Sequence, residues 1–256
     1  MPCARPVPPS PGGIVALMRE SPRMQRRKKW LLAITGLIAL VFISGHISNA
    51  WWKFYGMFEH EDGAGSSKSV AVLTLFADPT GSEVRWGFFN FAFGHSFITV
   101  KNISGERIMV GEFGPIDPGK TVSIGTRRRV FEHNGLWYNL EPYFITNRRA
   151  YGNRVSYATF INERQLDALN AYIEKRDRWS YAVNCANFAA GAWNSAVPAR
   201  DKIGLGAVQM PRMVFSEIKT KWPALYKEAS AIPLDYKVYY ANASGPPKES
   251  AVFIAR

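Results

Sequence analysis

The chain has 256 residues, 47% of them hydrophobic and 14% aromatic, a folded-protein composition that excludes a disordered or collagen-like polymer. Its formal charge of +12 is split evenly, because residues 1–50 hold seven Lys or Arg against the single acid Glu20 and the rest of the chain is +6 again. Two cysteines, Cys3 and Cys185, exclude a disulfide framework. Without zinc-ligand spacing, a phosphate loop, a dinucleotide fingerprint or an RNA-binding aromatic signature, the sequence predicts no cofactor, no metal and no nucleic-acid partner.

Residues 1–29 are Pro-rich and basic, ending in Arg26, Arg27, Lys28 and Lys29. The following "WLLAITGLIALVFISGHISNAWW", residues 30–52, is an apolar run close to the roughly 20 residues a bilayer span needs, and reads as a transmembrane anchor or a signal sequence. With the basic cluster in front, the positive-inside rule predicts a cytoplasmic tail over 1–29 and a periplasmic or exported domain behind it. Ser48-Asn49-Ala50 offers a small-x-small cleavage site before Trp51, and Met24 offers an alternative start that would leave a compact signal sequence. Residues 53–69 end in "EHEDGAGSSKS" and have linker composition. A folded domain is expected over 70–240, with a C-terminal tail over 241–256.

Within the domain, "VAVLTLFAD", "HSFITVKN", "RIMVGEF", "KTVSIGT" and "RVSYATFI" are short runs dense in β-branched and aromatic residues and separated by turn signals such as "NISGE" and "GPIDPGK". The period then changes. Asn162 and Gln165 form a capping box ahead of Leu166, Leu169, Tyr172 and Ile173 on one helical face. "NCANFAAGAWNSAV" places Phe188, Ala189, Ala192, Trp193 and Ala196 at helical spacing, and Pro211 suits the first turn of a third helix through "RMVFSEIKTKW". Strands first and helices after predict an α+β domain, an antiparallel sheet with helices packed on it.

Cys185 follows Asn184, a strong N-cap residue, so it is expected at the first helical position, where the helix dipole favours thiolate and lowers the pKa. A thiol nucleophile needs a base. His60 lies in the linker; His95 opens a strand whose alternation sets it beside Phe97 and Thr99, on a face expected to look towards the helix start; His133, beside Glu132, lies in a more loop-like stretch and is the runner-up. The Cys185 backbone N–H is the natural oxyanion donor, and Tyr181 or Asn184 offers a second. Between 126 and 154, Arg127, Arg128, Arg129, Arg148, Arg149 and Arg154 interleave with Trp137, Tyr138, Tyr143 and Tyr151, a mixture suited to an anionic polymer or to solvated charge around core aromatics.

"GHSFITVKN" followed far downstream by "NCANFAAGAWN" resembles the circularly permuted papain-like cysteine hydrolases, the NlpC-like and LRAT-like group, in which histidine precedes cysteine. "EHNGLWYNLEPYF" is also similar to a segment of bacterial members. The resemblance spans about residues 90–200. It implies a permuted papain-like fold, with Cys185 attacking an amide or ester carbonyl, His95 as base, and an acyl-enzyme intermediate. It further implies a third group on the strand after the histidine strand, and Glu112 in "RIMVGEF" holds roughly that place. Together these readings predict an envelope hydrolase acting on peptidoglycan stem peptides or another anionic envelope polymer. An LRAT-like acyltransferase or lipase, held near lipid by Trp51, Trp52, Phe54, Tyr55 and Phe58, is the second reading, and a non-catalytic envelope-binding domain the third.

Overall fold

The computed structural model describes residues 68–252 apart from 81–82, 87–88, 93, 205, 207–208 and 233–236. The expected anchor at 30–52 lies outside the described residues; among those described, no helix is long and apolar enough to cross a membrane.

Eight strands form one antiparallel sheet: β1 (Ser69–Asp78), β4 (His95–Asn102), β7 (Thr121–Val130), β8 (His133–Tyr138), β9 (Val155–Asn162), β10 (Lys227–Glu228), β11 (Tyr239–Asn242) and β12 (Gly245–Glu249). Their order across the sheet is β10-β9-β1-β4-β7-β8-β11-β12. Two small hairpins stand apart, β2 (Glu83–Trp86) with β3 (Phe89–Ala92), and β5 (Ile108–Val110) with β6 (Gly114–Ile116). Four helices complete the described fold: α1 (Leu140–Arg148), α2 (Glu163–Ile173), α3 (Cys185–Ala196) and α4 (Pro211–Lys221). The class is therefore α+β, as the order of periodicities predicts. The sheet runs past residue 240, because β11 pairs with β8 and β12 pairs with β11. Part of the stretch expected as a tail thus closes the sheet edge.

Alternation along the central strands sorts the side chains onto two faces. Ala71, Leu73, Leu75 and Ala77 of β1, with Ile98 and Val100 of β4, join Leu166, Leu169 and Ile173 of α2, Ala186, Phe188 and Trp193 of α3, and Val214 and Ile218 of α4 in the main core. On the opposite face Trp137 packs with Leu140 and Tyr143 of α1 and with Val238, beside Phe144 and Tyr240. Cross-strand partners confirm the sorting, since Ile98 faces Ile124 while Gly125 faces Trp137.

The helix starts are chemically defined. Asn162 accepts from the Gln165 N–H while Gln165 Oε1 accepts from the Asn162 N–H, both at 3.0 Å. Asn184 does the same with Asn187 at the head of α3. Pro211 occupies the first turn of α4.

Candidate active site

His95 is the first residue of β4, opposite Asp78 at the end of β1. Gly94 before it is forced by the close approach of β1, since a Cβ there would lie 1.9 Å from the Asp78 carbonyl oxygen. His95 shares its face with Phe97, and that face is not the one α3 covers. Helices α2, α3 and α4 pack on the Ile98 and Val100 side, so the expectation that His95 looks towards the start of α3 is corrected by the register. Pairing of β4 with β7 runs from Lys101–Thr121 to Ile98–Ile124, and residues 95–97 lie beyond it, where the seam opens.

On this second face, His95 Nε2 lies 3.0 Å from Glu141 Oε1, and both groups are buried. Glu141 stands in the first turn of α1, and its other oxygen accepts from the Ser123 hydroxyl at 2.9 Å. The pair has room because residue 125 is glycine: a Cβ there would lie 2.4 Å from Glu141 Oε1. The imidazole forms a triangle with two rings, the Phe97 centroid at 5.6 Å and the Tyr151 centroid at 5.2 Å, themselves 6.2 Å apart. Burial by itself raises the Glu141 pKa, but hydrogen bonds from His95 and Ser123 and the charge of Arg127 bring it below the ordinary carboxyl value. Glu141 is consequently ionised. It accepts the Nε2 proton and leaves Nδ1 as the basic ring nitrogen.

Cys185 is the first residue of α3, as expected. Asn184 Oδ1 accepts from the N–H groups of Ala186 and Asn187 at 2.9 and 3.2 Å. The Cys185 N–H, at the helix head, has no intrahelical acceptor. Asn184 Nδ2 is spent on the carbonyls of Gln209 and Tyr181, so it is not a spare oxyanion donor, whereas the exposed Tyr181 only accepts from Arg128 and keeps its own O–H proton to donate. The backbone N–H groups of Ser96, Ala186 and Cys185 itself act to lower the thiol pKa, which puts them in the neighbourhood of the sulfur. Ser96 adjoins His95, so the thiol meets the histidine strand at the opened seam. No hydrogen bond joins the thiol and imidazole directly among the described contacts.

The electrostatics differ from the sequence expectation. Burial pushes the Cys185 thiol above its ordinary pKa, outweighing the surrounding N–H groups and the charge of Arg127. Burial, helped by Arg127, lowers the His95 pKa to about 4 despite Glu141. The resting pair is a neutral thiol and a neutral imidazole, not a thiolate held by the helix dipole.

Glu112 is placed elsewhere. It sits in the 3-10 turn Gly111–Phe113, half-buried, and burial together with the charges of Asp177 and Glu174 raises its pKa. The structure brings Glu141, not Glu112, to His95. His133 begins β8 and is tied to Asp177, whose Oδ1 lies 2.7 Å from His133 Nε2 and also accepts from the Leu136 N–H at 2.9 Å. That tie anchors the segment after α2 to the sheet. Among the described residues, no group of three or more His, Cys, Asp or Glu side chains converges as metal ligands. Searches against protein-family models, curated proteins and solved structures find no match for the chain.

Proposed function

We propose that this chain is a cysteine hydrolase of the permuted papain-like, NlpC-like type that cleaves an amide bond in peptidoglycan stem peptides outside the cytoplasmic membrane. The observation that carries the chemistry is the buried His95–Glu141 bond, set one residue from Ser96, whose backbone N–H acts on the Cys185 thiol. The basic cluster and apolar run at 24–52 support the compartment. The +6 charge of the remaining sequence suits an anionic wall polymer.

In this reading His95 Nδ1 takes the thiol proton as the Cys185 sulfur bonds to the scissile carbonyl carbon, and Glu141 stabilises the imidazolium that forms. The negative charge arriving on the carbonyl oxygen meets the Cys185 N–H at the positive end of α3. The imidazolium then returns its proton to the leaving amine as the carbon–nitrogen bond breaks, leaving an acyl thioester. Water, deprotonated by the same nitrogen, attacks the thioester and releases the carboxylate and free thiol.

Digestion of purified sacculi tests the reading. The full chain is expected to release new amino groups, and Cys185→Ala to abolish the release. Intact sacculi with acyl groups transferred to or from lipid would favour the LRAT-like alternative. Sacculus binding unchanged in Cys185→Ala, with no amine released, would favour a binding domain.

A further inference from the structure

Arg127 of β7 brings more donors to this site than the protein has acceptors for. Its guanidinium carbon lies 4.2 Å from the Phe144 ring centroid and 5.3 Å from that of Tyr151, the ring that also stacks on His95. The residue keeps some solvent contact, yet Nε and Nη2 are sequestered and neither meets an acceptor. Those two N–H groups form one edge of the planar fork, the edge that grips a carboxylate through two parallel hydrogen bonds. The nearby carboxylate does not fill that role: Glu141 bonds His95 and Ser123 and meets neither of those Arg127 N–H groups. Other buried side-chain groups also lack partners, among them the hydroxyls of Ser96 and Thr126, which belong to the strand ends flanking the opened seam and point to the sheet face opposite Arg127. Buried donors without acceptors cost stability, and an open guanidinium edge beside the ring that stacks on His95 marks where an anionic ligand belongs.

Resting on the hydrolase reading above, we propose that Arg127 is a specificity-determining residue that binds a free carboxylate on the substrate beside the carbonyl attacked by Cys185. The substrates are then amides of amino acids or peptides with an ionised carboxyl at the scissile bond, not neutral acyl chains. Aromatic rings orient the guanidinium, and its charge acts on His95 and Cys185 as well.

Paired alkylating reagents test this without knowledge of the natural substrate. Iodoacetate and iodoacetamide, and N-iodoacetylglycine and its amide, place a carboxylate or its neutral isostere at two distances from the reactive carbon. In each, the sulfur displaces iodide and the thiol proton passes to His95. Modification of Cys185 in the full chain is followed by peptide mass spectrometry, which separates it from Cys3. For at least one pair the carboxylate-to-amide rate ratio should exceed that of free cysteine by about tenfold, the scale of a charge-assisted bidentate contact. Arg127→Gln and Arg127→Lys should return the ratio to the free-cysteine value, and acetate should slow only the carboxylate reagents. Both pairs reacting at the free-cysteine ratio overturns the assignment, and that result needs no variant to fold. A raised ratio that survives Arg127→Gln also overturns it, by making the imidazolium the source. A thiol inert to all four reagents instead refutes the hydrolase reading, and the inference falls with it.

Discussion

Acidification should destabilise this fold through a single buried imidazole. His95 titrates at about 4 in the folded protein against an ordinary 6.5. Between those values the unfolded chain binds one more proton than the folded one. The stabilising contribution is complete above 6.5 and is lost as pH falls, by about 1.4 kcal/mol per pH unit and about 3 kcal/mol over the whole interval. Glu141, held below its ordinary value of 4.5, adds its own loss as pH falls through that value, at the acid end of this window. His95→Gln removes the titration while keeping an N–H donor for Glu141 Oε1. Urea unfolding at several pH values between 7 and 4 should show the wild type losing about 3 kcal/mol more than the variant. Parallel profiles, or a wild type that gains on the variant in acid, would show that Glu141 holds an imidazolium and refute the neutral pair.

Three substitutions probe the frame around that pair. Glu141→Gln keeps the shape but removes the charge that fixes the tautomer and balances Arg127; activity on sacculi should fall by roughly 10²- to 10⁴-fold, the scale of general acid–base contributions, with far-UV circular dichroism unchanged. Gly125→Ala drives a Cβ into the Glu141 carboxylate and to 3.2 Å from the Phe97 Cβ. It should cost about 1 kcal/mol in urea unfolding and slow Cys185 alkylation at neutral pH, by parting Glu141 from His95. Asn184→Ala loses the cap of α3 and the tie to the Gln209 carbonyl at 2.8 Å, and should cost about 1 to 2 kcal/mol by the same assay.

Much of this fold is legible in the sequence because its signals are local. "HSFITVKN" coincides with β4 from end to end, and the capping residues Asn162 and Asn184 start α2 and α3 where their side chains can bond the first turn. Glu141 escapes sequence reasoning for physical reasons. Its helix α1 follows Asn139 in the left-handed region, holds Pro142, and has little amphipathic pattern. Its contact with His95 spans 46 residues. Gly125 is the sole local trace of it, an otherwise unexplained glycine in a strand beside Phe97. Arg127 and Arg154 are likewise hidden in a run that reads as surface charge. The first turns in over Phe144, and the second bonds the carbonyls of Tyr151, Ala229 and Ser230. Composition also cannot rank burial against the helix dipole at Cys185, and burial wins.

If Cys185 and His95 act as one unit, the pH profile of Cys185 alkylation by iodoacetamide carries the signature of both groups. Between a low histidine pKa and a high cysteine pKa, the fraction of thiolate–imidazolium pair formed by internal proton transfer does not change with pH. The wild-type rate is therefore expected to rise near pH 4 to a pH-independent component that the variant lacks, and to climb above it once free thiolate outnumbers the pair. In His95→Gln only the free thiolate reacts, so the rate should climb about tenfold per pH unit up to an alkaline pKa. Wild-type and variant rates that climb together would contradict the account and leave Cys185 as a buried packing residue.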